Sequence, residues 1–380
     1  MSTAAASVPS RVAVLFGGPS PEHDVSVLTG LQAVRGLAGV AGVDDVRPLY
    51  WSKAGDWFVV DGALEASAFA GGPPRGARRV ELVLGSEGGF VERHGGLRPR
   101  AERLAIDAAL VCCHGGPGED GALQGALDLA GVAYTGPDAA GAALGMDKLA
   151  WAGLVRAAGL PALDRISLRR DAPSPGCAPP YIVKPRFGGS SIGIDVVADF
   201  PTALARLDAN VHLRRGAVLE PYRPDLYDLQ IAVRTFPALE LSAIERPLRA
   251  RPGSEILGYA DKYVGGDGMA SAPRELPARL ADDVADRVRA VARAVAGLAG
   301  VRGVVRVDLL SDGEQLFVNE VNTVPGSLAR YLFVDPVVPF PALLADLLAE
   351  AVARPAAHLG STGADGTVLR SASSIAAKLA

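Results

Sequence analysis

Residues 11–22 read RVAVLFGGPSPE. Arg11 to Phe16 is a short, β-branched apolar run that suits a buried strand, and Gly17-Gly18 ends it. In the following Pro19-Ser20-Pro21-Glu22, Ser20 offers a helix cap and Pro21 suits a first helical position. Glu22 falls in the first turn, where the helix dipole favours an anion. Strand, glycine turn and helix in this order open a doubly wound α/β domain with a parallel sheet. A second strand, AALVCC (108–113), runs into another glycine-rich turn, HGGPGEDG (114–121). A helix over 122–130 and a short strand over 131–135 follow.

Further along, residues 147–160 read as a helix ending near Gly159-Leu-Pro161. A strand over 181–184 meets the turn PRFGGSSIG (185–193), and a strand over 216–220 ends at Glu220-Pro-Tyr-Arg-Pro224. Prolines interrupt both kinds of regular ladder, so this last segment reads as a hinge. Residues 229–235 and 239–246 read as antiparallel strands, and Gly265 to Ser271 as a glycine-rich loop. Val284, Val288, Val291, Val295 and Leu298 mark one face of an amphipathic helix over 281–299, which core packing explains. Strands over 303–310 and 315–321 are joined at Ser311-Asp-Gly-Glu314, a hairpin turn. A helix is expected over 340–353, and the Gly/Ser/Ala-rich tail after Pro355 carries a short one over 373–379.

The 380 residues are enough for more than one domain. A composition 49% hydrophobic and 21% charged is that of a globular chain. The net charge of −4 gives no electrostatic reason to expect nucleic acid. Three cysteines without metal-ligand spacing argue against a zinc site or a disulfide framework. Met1–Ser10 lacks the pattern of a signal peptide, and no run is long and apolar enough for a membrane helix. A cytoplasmic protein without membrane or nucleic-acid partners is expected.

The chemistry concentrates in Arg306-Val-Asp308 and Glu320-Val-Asn322. Side chains alternate faces along a strand, so Arg306 and Asp308 share one face, as do Glu320 and Asn322. Pairing across the 311–314 turn brings the four together. Two carboxylates and an amide oxygen are hard donors that suit Mg²⁺ held jointly with a phosphate chain. The bland reading is a surface strand salt-bridged to Arg306. Against it stand Lys148 at a helix start and Lys184 ending an apolar strand, where an ammonium is costly unless it meets an anion. The turn Gly188–Gly193, including Gly189, Ser190 and Ser191, presents backbone N–H groups suited to covering phosphates.

Six blocks together resemble the D-alanine–D-alanine ligases of the ATP-grasp superfamily. They are VAVLFGGPSPEHDVSVLTG (12–30), CHGGPGEDGALQGALDLAGVAYTG (113–136), GMDKLAWAGLVRAAGLP (145–161), YIVKPRFGGSSIGI (181–194), ADKY (260–263) and RVDLLSDGEQLFVNEVNTVPG (306–326). The resemblance implies an α/β fold, α+β in parts, of three ATP-grasp domains. These are a Rossmann-like N-terminal domain with a doubly wound parallel sheet (1–137), a central subdomain (138–221) and a C-terminal subdomain (222–355), followed by a tail (356–380). It implies ATP between the last two, contacted by Lys148, Lys184, Gly189, Ser191 and Asn319, with Glu220 at the adenine hinge. Asp228 falls closest to a ribose-binding glutamate, as a shorter acid with one inserted residue before it. Asp308, Glu320 and Asn322 match positions that carry two Mg²⁺ ions, for which Mn²⁺ can substitute. The implied reaction makes an acyl-phosphate from one amino acid and lets a second amino acid attack it, serving peptidoglycan synthesis. Arg306 matches the oxyanion-stabilising arginine. Glu22, Ser190 and Tyr263 match a hydrogen-bonded triad on the first amino acid that shuts a lid loop over 264–271, with His114 beside it. Lys262, Gly326, Ser327 and Tyr331 fall on the substrate side. The family is commonly dimeric through its N-terminal domain, so a homodimer is expected.

Two departures bear on the second substrate. Tyr263 stands where the relatives that use a hydroxy acid tend to have histidine, which favours an amine acceptor. The family's Ser-Leu pair after the Asn-Thr-x-Pro-Gly motif falls by unchanged spacing on Tyr331-Leu332, while Ser327-Leu328 lies earlier. A reshaped acceptor pocket is therefore expected, and a paralogous ligase with another acceptor stays open. A nucleotide-binding regulator without catalysis has no use for Arg306, and the 12–30 and 260–263 blocks speak against an ATP-grasp carboxylase or kinase.

Overall fold

The structure is a computed structural model that describes residues 7–94, 100–248, 273–298, 300–355, 360–371 and 375. Lys262, Tyr263 and the expected lid 264–271 lie outside the described residues, as does all of the expected helix over 373–379 except Ile375.

Strand β1 (Arg11–Gly17) is buried beyond its first residue and pairs in parallel with β2 (Asp45–Trp51). Beyond β2 come β3 (Trp57–Val59), β4 (Arg78–Val83), β5 (Gly89–His94) and β6 (Arg100–Arg103), each antiparallel to its neighbour. Strand β7 (Ala108–Val111) returns to the other side of β1, parallel to it. The seven-stranded sheet thus has the order β6-β5-β4-β3-β2-β1-β7. The expected parallel sheet exists only at β2-β1-β7. The β2–β3 and β4–β5 connections are tight turns, too short for the crossover that parallel pairing needs. The expected strand over 131–135 is reduced to a single bridge between Ala109 and Tyr134.

Helix α1 (His23–Leu37) packs on β1, and Gly30 is where it approaches. A Cβ there would lie 2.4 Å from Phe16 Cβ. The helix starts later than expected. Ser20 Oγ accepts from the Glu22 N–H at 3.1 Å, which tightens the preceding turn instead of capping the helix. Glu22 is then the residue just before the helix, and its carboxylate is not spent on helix N–H groups.

Helices α2 (Ala122–Leu129), α3 (Ala139–Met146) and α4 (Lys148–Ala157) lead to a four-stranded antiparallel sheet. It contains β8 (Ile166–Leu168), β9 (Tyr181–Pro185), β10 (Asp195–Val197) and β11 (Ala217–Pro221), in the order β10-β9-β11-β8. Helix α5 (Phe200–Ala209), capped by Asp199 on the Thr202 N–H, covers it. The third sheet has β12 (Tyr227–Arg234), β13 (Glu240–Pro247), β14 (Arg274–Glu275), β15 (Val304–Ser311) and β16 (Leu316–Asn322), in the order β14-β13-β12-β15-β16. Helix α6 (Asp282–Leu298) lays Val288, Ala292 and Val295 into its core. Helix α7 (Phe340–Ala353) returns to the first sheet, where Leu343, Leu344, Leu347 and Leu348 join the core of β1 and β7. A short helix α8 (Thr367–Ser371) buries nothing. Among the described residues no helix is long and apolar enough to cross a membrane.

Candidate active site

Helix α4 begins at a lysine whose setting is fixed by its neighbour. Asp147 caps the helix through the Leu149 and Ala150 N–H groups at 3.1 and 3.2 Å, and Arg186 grips the same carboxylate. Lys148 follows immediately, buried, with its ammonium on the Gly188 carbonyl and 3.5 Å from Glu320. Lys184 ends its strand buried, and the anion its burial requires is Glu220 on the next strand. Pairing of Ile182 with Glu220 and of Lys184 with Val218 sets the two on one face, diagonally opposed. Burial, and next the charge of Arg165, hold the Lys184 ammonium well below its ordinary pKa.

In the β15–β16 hairpin, counted from the Ser311–Leu316 pair, plain alternation would set Asp308 against Asn319; a one-residue register shift brings the four side chains to one face instead. Arg306 faces Asn322, and Asp308 faces Glu320. Arg306 donates to both Asp308 oxygens at 2.7 and 2.9 Å, and Asn322 Nδ2 donates to Asp308 Oδ2 at 3.1 Å. The bland reading of a salt bridge is therefore present, but inside a cavity where Arg306 and Asp308 are each only 7% exposed. The register then slips, so that Leu309 faces Val318 and Asn319 is the extra residue. Such a bulge re-aims a side chain, and it turns Asn319 into the same cleft as Glu320. Its Oδ1 accepts from Arg165 at 3.2 Å and from Lys184 at 3.4 Å.

These groups line one open cleft. Ile182, Tyr222, Leu226 and Leu310 give it an apolar end, beside Glu220 and Asp228. Lys148, Lys184, Gly189, Ser191, Asp308, Asn319 and Glu320 give it a polar one. Asp308, Glu320 and Asn322 present oxygen donors of the hard type Mg²⁺ takes. No group of three His, Cys, Asp or Glu side chains among the described residues could hold a metal alone. An ion there fits only as a partner of the ligand's own oxygens.

Two smaller cavities continue from the polar end. One shares Lys148, Gly188, Gly189 and Glu320 with the cleft and reaches Glu22, Glu119 and Asn322. The other is lined by Glu22, His114, Glu119, Ser190, Arg306, Glu320, Asn322 and Gly326 among others. Glu22 and Ser190 come together as the sequence predicts, with the Ser190 hydroxyl donating to Glu22 Oε1 at 2.5 Å. Ser190 and Ser191 hold φ of 52° and 58°, a left-handed conformation that non-glycine residues avoid and that clusters at functional sites. Glycine is needed on both sides of Glu22. A Cβ on Gly115 would lie 2.3 Å from Glu22 Oε2, and one on Gly189 2.9 Å.

His114 is fully enclosed. Its Nδ1 donates to the Val324 carbonyl at 2.7 Å, which leaves Nε2 to accept from the Thr29 hydroxyl at 2.8 Å. Thr29 Oγ1 in turn accepts from the Ser327 N–H at 3.0 Å. Burial pushes the imidazole pKa down to about 4, so the ring is neutral. Gly326 lines the cavity, but Tyr331 does not. Tyr331 lies further along a 3-10 turn over 326–332, half-buried, with the Arg274 guanidinium 5.1 Å from its ring centre.

The D-ala D-ala ligase N-terminal family model matches residues 11–137, and its C-terminal counterpart matches 154–347. The chain belongs to the D-alanine–D-alanine ligase family. A D-alanine–D-alanine ligase of Bradyrhizobium sp. strain BTAi1 is 33% identical over 359 residues, covering 91% of this chain and 96% of that protein. One from Mycolicibacterium vanbaalenii is 33% identical over 373 residues, covering 90% and 97%. The fold matches the Helicobacter pylori D-alanine–D-alanine ligase with a TM-score of 0.70 at 21% identity, covering 90% and 98%. It matches the VanG D-Ala:D-Ser ligase of Enterococcus faecalis with a TM-score of 0.72 at 23% identity, covering 90% and 100%. The expected ATP-grasp fold is thereby established, and ATP use follows from the family.

Three residues of this ligase-family site escaped the sequence reading. Arg165 carried no signal, as a charged residue just before a short strand. Glu119 sits inside the 113–136 block, yet its role is visible only in space. It accepts from the Gly115 and Val324 N–H groups, both at 3.0 Å, and from the Thr323 hydroxyl at 3.3 Å. Burial, and next the charge of Glu22, push its carboxyl up to about 7. Thr29 reads as one more residue of a helix face.

Proposed function

We propose that the chain joins two D-alanine molecules, using ATP, through an acyl-phosphate, for peptidoglycan synthesis. The observation that carries this reading is the position of Glu320. It lines the main cleft and both small cavities, so in this reading a phosphate chain and an amino-acid carboxylate meet beside it. The D-alanine assignment rests on the names of the relatives.

In this mechanism Glu22, oriented by Ser190, holds the first amino acid's ammonium. Lys148 and Lys184 hold the phosphates under the Gly188–Gly193 turn. An oxygen of the first carboxylate attacks the γ-phosphorus and ADP leaves. The free amine of the second amino acid then attacks the acyl carbon, inorganic phosphate departs, and the amine gives up a proton. Arg306 faces the oxygen that becomes anionic in this second step, where a preorganised positive charge is most effective. Mg²⁺ held by Asp308, Glu320 and Asn322, two ions by family likeness, supplies charge neutralisation at the phosphates.

Three domains over 1–137, 138–221 and 222–355, a cytoplasmic location and a homodimer complete the proposal, on the family likeness. A second reading, a ligase with another acceptor, is favoured by Tyr331, which packs under Arg274 instead of lining the cavity. Incubation with ATP, Mg²⁺ and a panel including D-alanine, D-serine and D-lactate decides between them, by phosphate release and product mass. D-Alanyl-D-alanine from D-alanine alone supports the first reading. No such product, with a mixed one formed instead, overturns it.

A further inference from the structure

Behind the nucleotide cleft sits a charge cluster that the mechanism above leaves partly unused. Arg165 has a side chain only 3% exposed and Glu220 one only 1% exposed. The guanidinium donates to Glu220 Oε2 through Nε at 3.1 Å and Nη2 at 2.9 Å. Glu220 Oε1 meets the Lys184 ammonium. One buried carboxylate therefore faces two buried cations. The fork of Arg165 reaches further, with Nη1 donating to the Lys148 carbonyl at 2.9 Å and Nη2 to Asn319 Oδ1 at 3.2 Å. A single side chain touches the strand that carries Glu220, the first turn of the helix that starts at Lys148, and the bulge of the β15–β16 hairpin. It does not itself line the cleft.

The arithmetic of charge explains why such a residue is needed. As described here Lys184 is engaged by Glu220, yet the proposed chemistry asks it to hold a phosphate. If it were Glu220's only partner, moving it would leave a buried carboxylate uncompensated, which is strongly unfavourable. With Arg165 in place, Glu220 keeps a bidentate counter-charge. We propose that Arg165 is a positioning residue that keeps Glu220 compensated and so frees Lys184 to transfer from Glu220 to the nucleotide phosphates. Burial and the Arg165 charge also depress the Lys184 pKa, so that an arriving polyanion relieves an excess of buried positive charge.

The inference rests on the cleft being the ATP site, and the test separates the two. ATP with Mg²⁺, amino acids omitted, is titrated calorimetrically into wild-type protein, R165M, E220Q and the R165M/E220Q double variant. Binding to wild-type protein upholds the ATP site, and its absence overturns that reading and this inference with it. R165M is expected to weaken ATP at least about tenfold in the Glu220 background and less than about twofold in the E220Q background, because Lys184 is then no longer held. In turnover the loss appears in KM for ATP, with kcat at saturating ATP within about threefold. Equal losses in both backgrounds, or no loss in either, would show that Arg165 serves only packing. If R165M does not fold, R165K and the double variant decide. The inference requires R165K to bind ATP within about threefold of wild type, and the double variant within about threefold of E220Q. A loss above about tenfold in both overturns it.

Discussion

Replacing Thr29 by valine tests the proposal that the hydroxyl relay from His114 to Ser327 holds the turn on the second-substrate side. Ser327, Leu328 and Ala329 occupy the left-handed region with φ of 51°, 50° and 51°. That conformation costs roughly 1–2 kcal/mol per L-residue, so about 3–6 kcal/mol for the run. Burial of Leu328 and Ala329 offsets part of it, and the Ser327 N–H bond to Thr29 Oγ1 holds the entry to the turn. Valine keeps the shape of threonine and removes the hydroxyl. The Ser327 N–H loses its acceptor, and His114 Nε2, with its residue 3% exposed, loses its donor. An orphaned buried acceptor costs about 1–3 kcal/mol, so the variant should lose about 2 kcal/mol of stability in denaturant titration. If about 1.4 kcal/mol of the loosening falls on second-substrate binding, its KM rises about tenfold. The two D-alanine sites separate in the curvature of rate against D-alanine concentration, with phosphate release as the assay. An unchanged second KM, or an increase confined to the first KM or to ATP, would refute the relay.

Gly189→Ala leaves the backbone unstrained and places a methyl 2.9–3.0 Å from both Glu22 oxygens, its nearest neighbours. A displacement of about 1 Å costs up to about 100-fold, so kcat/KM for the first amino acid should fall by about that factor while ATP affinity stays within about twofold, checked by kinetics and calorimetry. His114 protonates near 6.5 when unfolded and at about 4 in the folded protein, so the unfolded chain binds more protons between those values and folded stability falls as pH drops through that window. The shift corresponds to about 3 kcal/mol. Glu119, raised to about 7, acts the opposite way between 4.5 and 7 and partly hides this in the wild type. The pH-dependent part of the difference between wild type and H114N isolates the His114 contribution, which should grow from pH 4 to 6.5 in urea melts. Amide exchange should be faster in the 166–221 sheet than in the 304–322 hairpin, and ATP should slow the former, as read by mass spectrometry.

The legible parts of this chain were those where local chemistry and tertiary role coincide. Val288, Val291 and Val295 are spaced for one helix face and pack on one sheet. Arg306, Asp308, Glu320 and Asn322 converge as the hairpin reading expects, but only because a bulge at Asn319, which no local pattern marks, shifts the register by one. Glu22 was identified by family likeness, but its helix position was misread, because Ser20 bonds the Glu22 N–H instead of capping. The strands between 45 and 103 were missed. Several carry Arg and Glu on an exposed face, and β6 is exposed throughout, so they lack a strong apolar signal. Arg165 and Thr29 were invisible for a different reason. Their roles are set by partners 55 and 298 positions away, and nothing in their own neighbourhood marks them.

The distribution of apolar cores shows how the site is divided. The first sheet, Val304, Val324, Leu328 and helix α7 share one core. The third sheet shares another with Trp151 and Val155 of the helix that begins at Lys148. The four-stranded central sheet has a small core of its own, formed by Tyr181, Val183, Leu219 and their neighbours. Polar pairs reach from it to the rest: Ser190 with Glu22, Arg186 with Asp147, Arg215 with Asp120, and Glu220 with Arg165. None of these pairs is apolar, so among the described residues no continuous apolar core joins the central sheet to the other two. The two lysines of the proposed phosphate site therefore sit against different cores. Lys148 starts a helix that packs on the third sheet, whereas Lys184, Glu220 and the Gly188–Gly193 turn belong to the central sheet. In the proposed reaction a phosphate chain held by both lysines would bridge the central sheet and the hairpin, and the proposed release of Lys184 from Glu220 is the local event that would permit that grip.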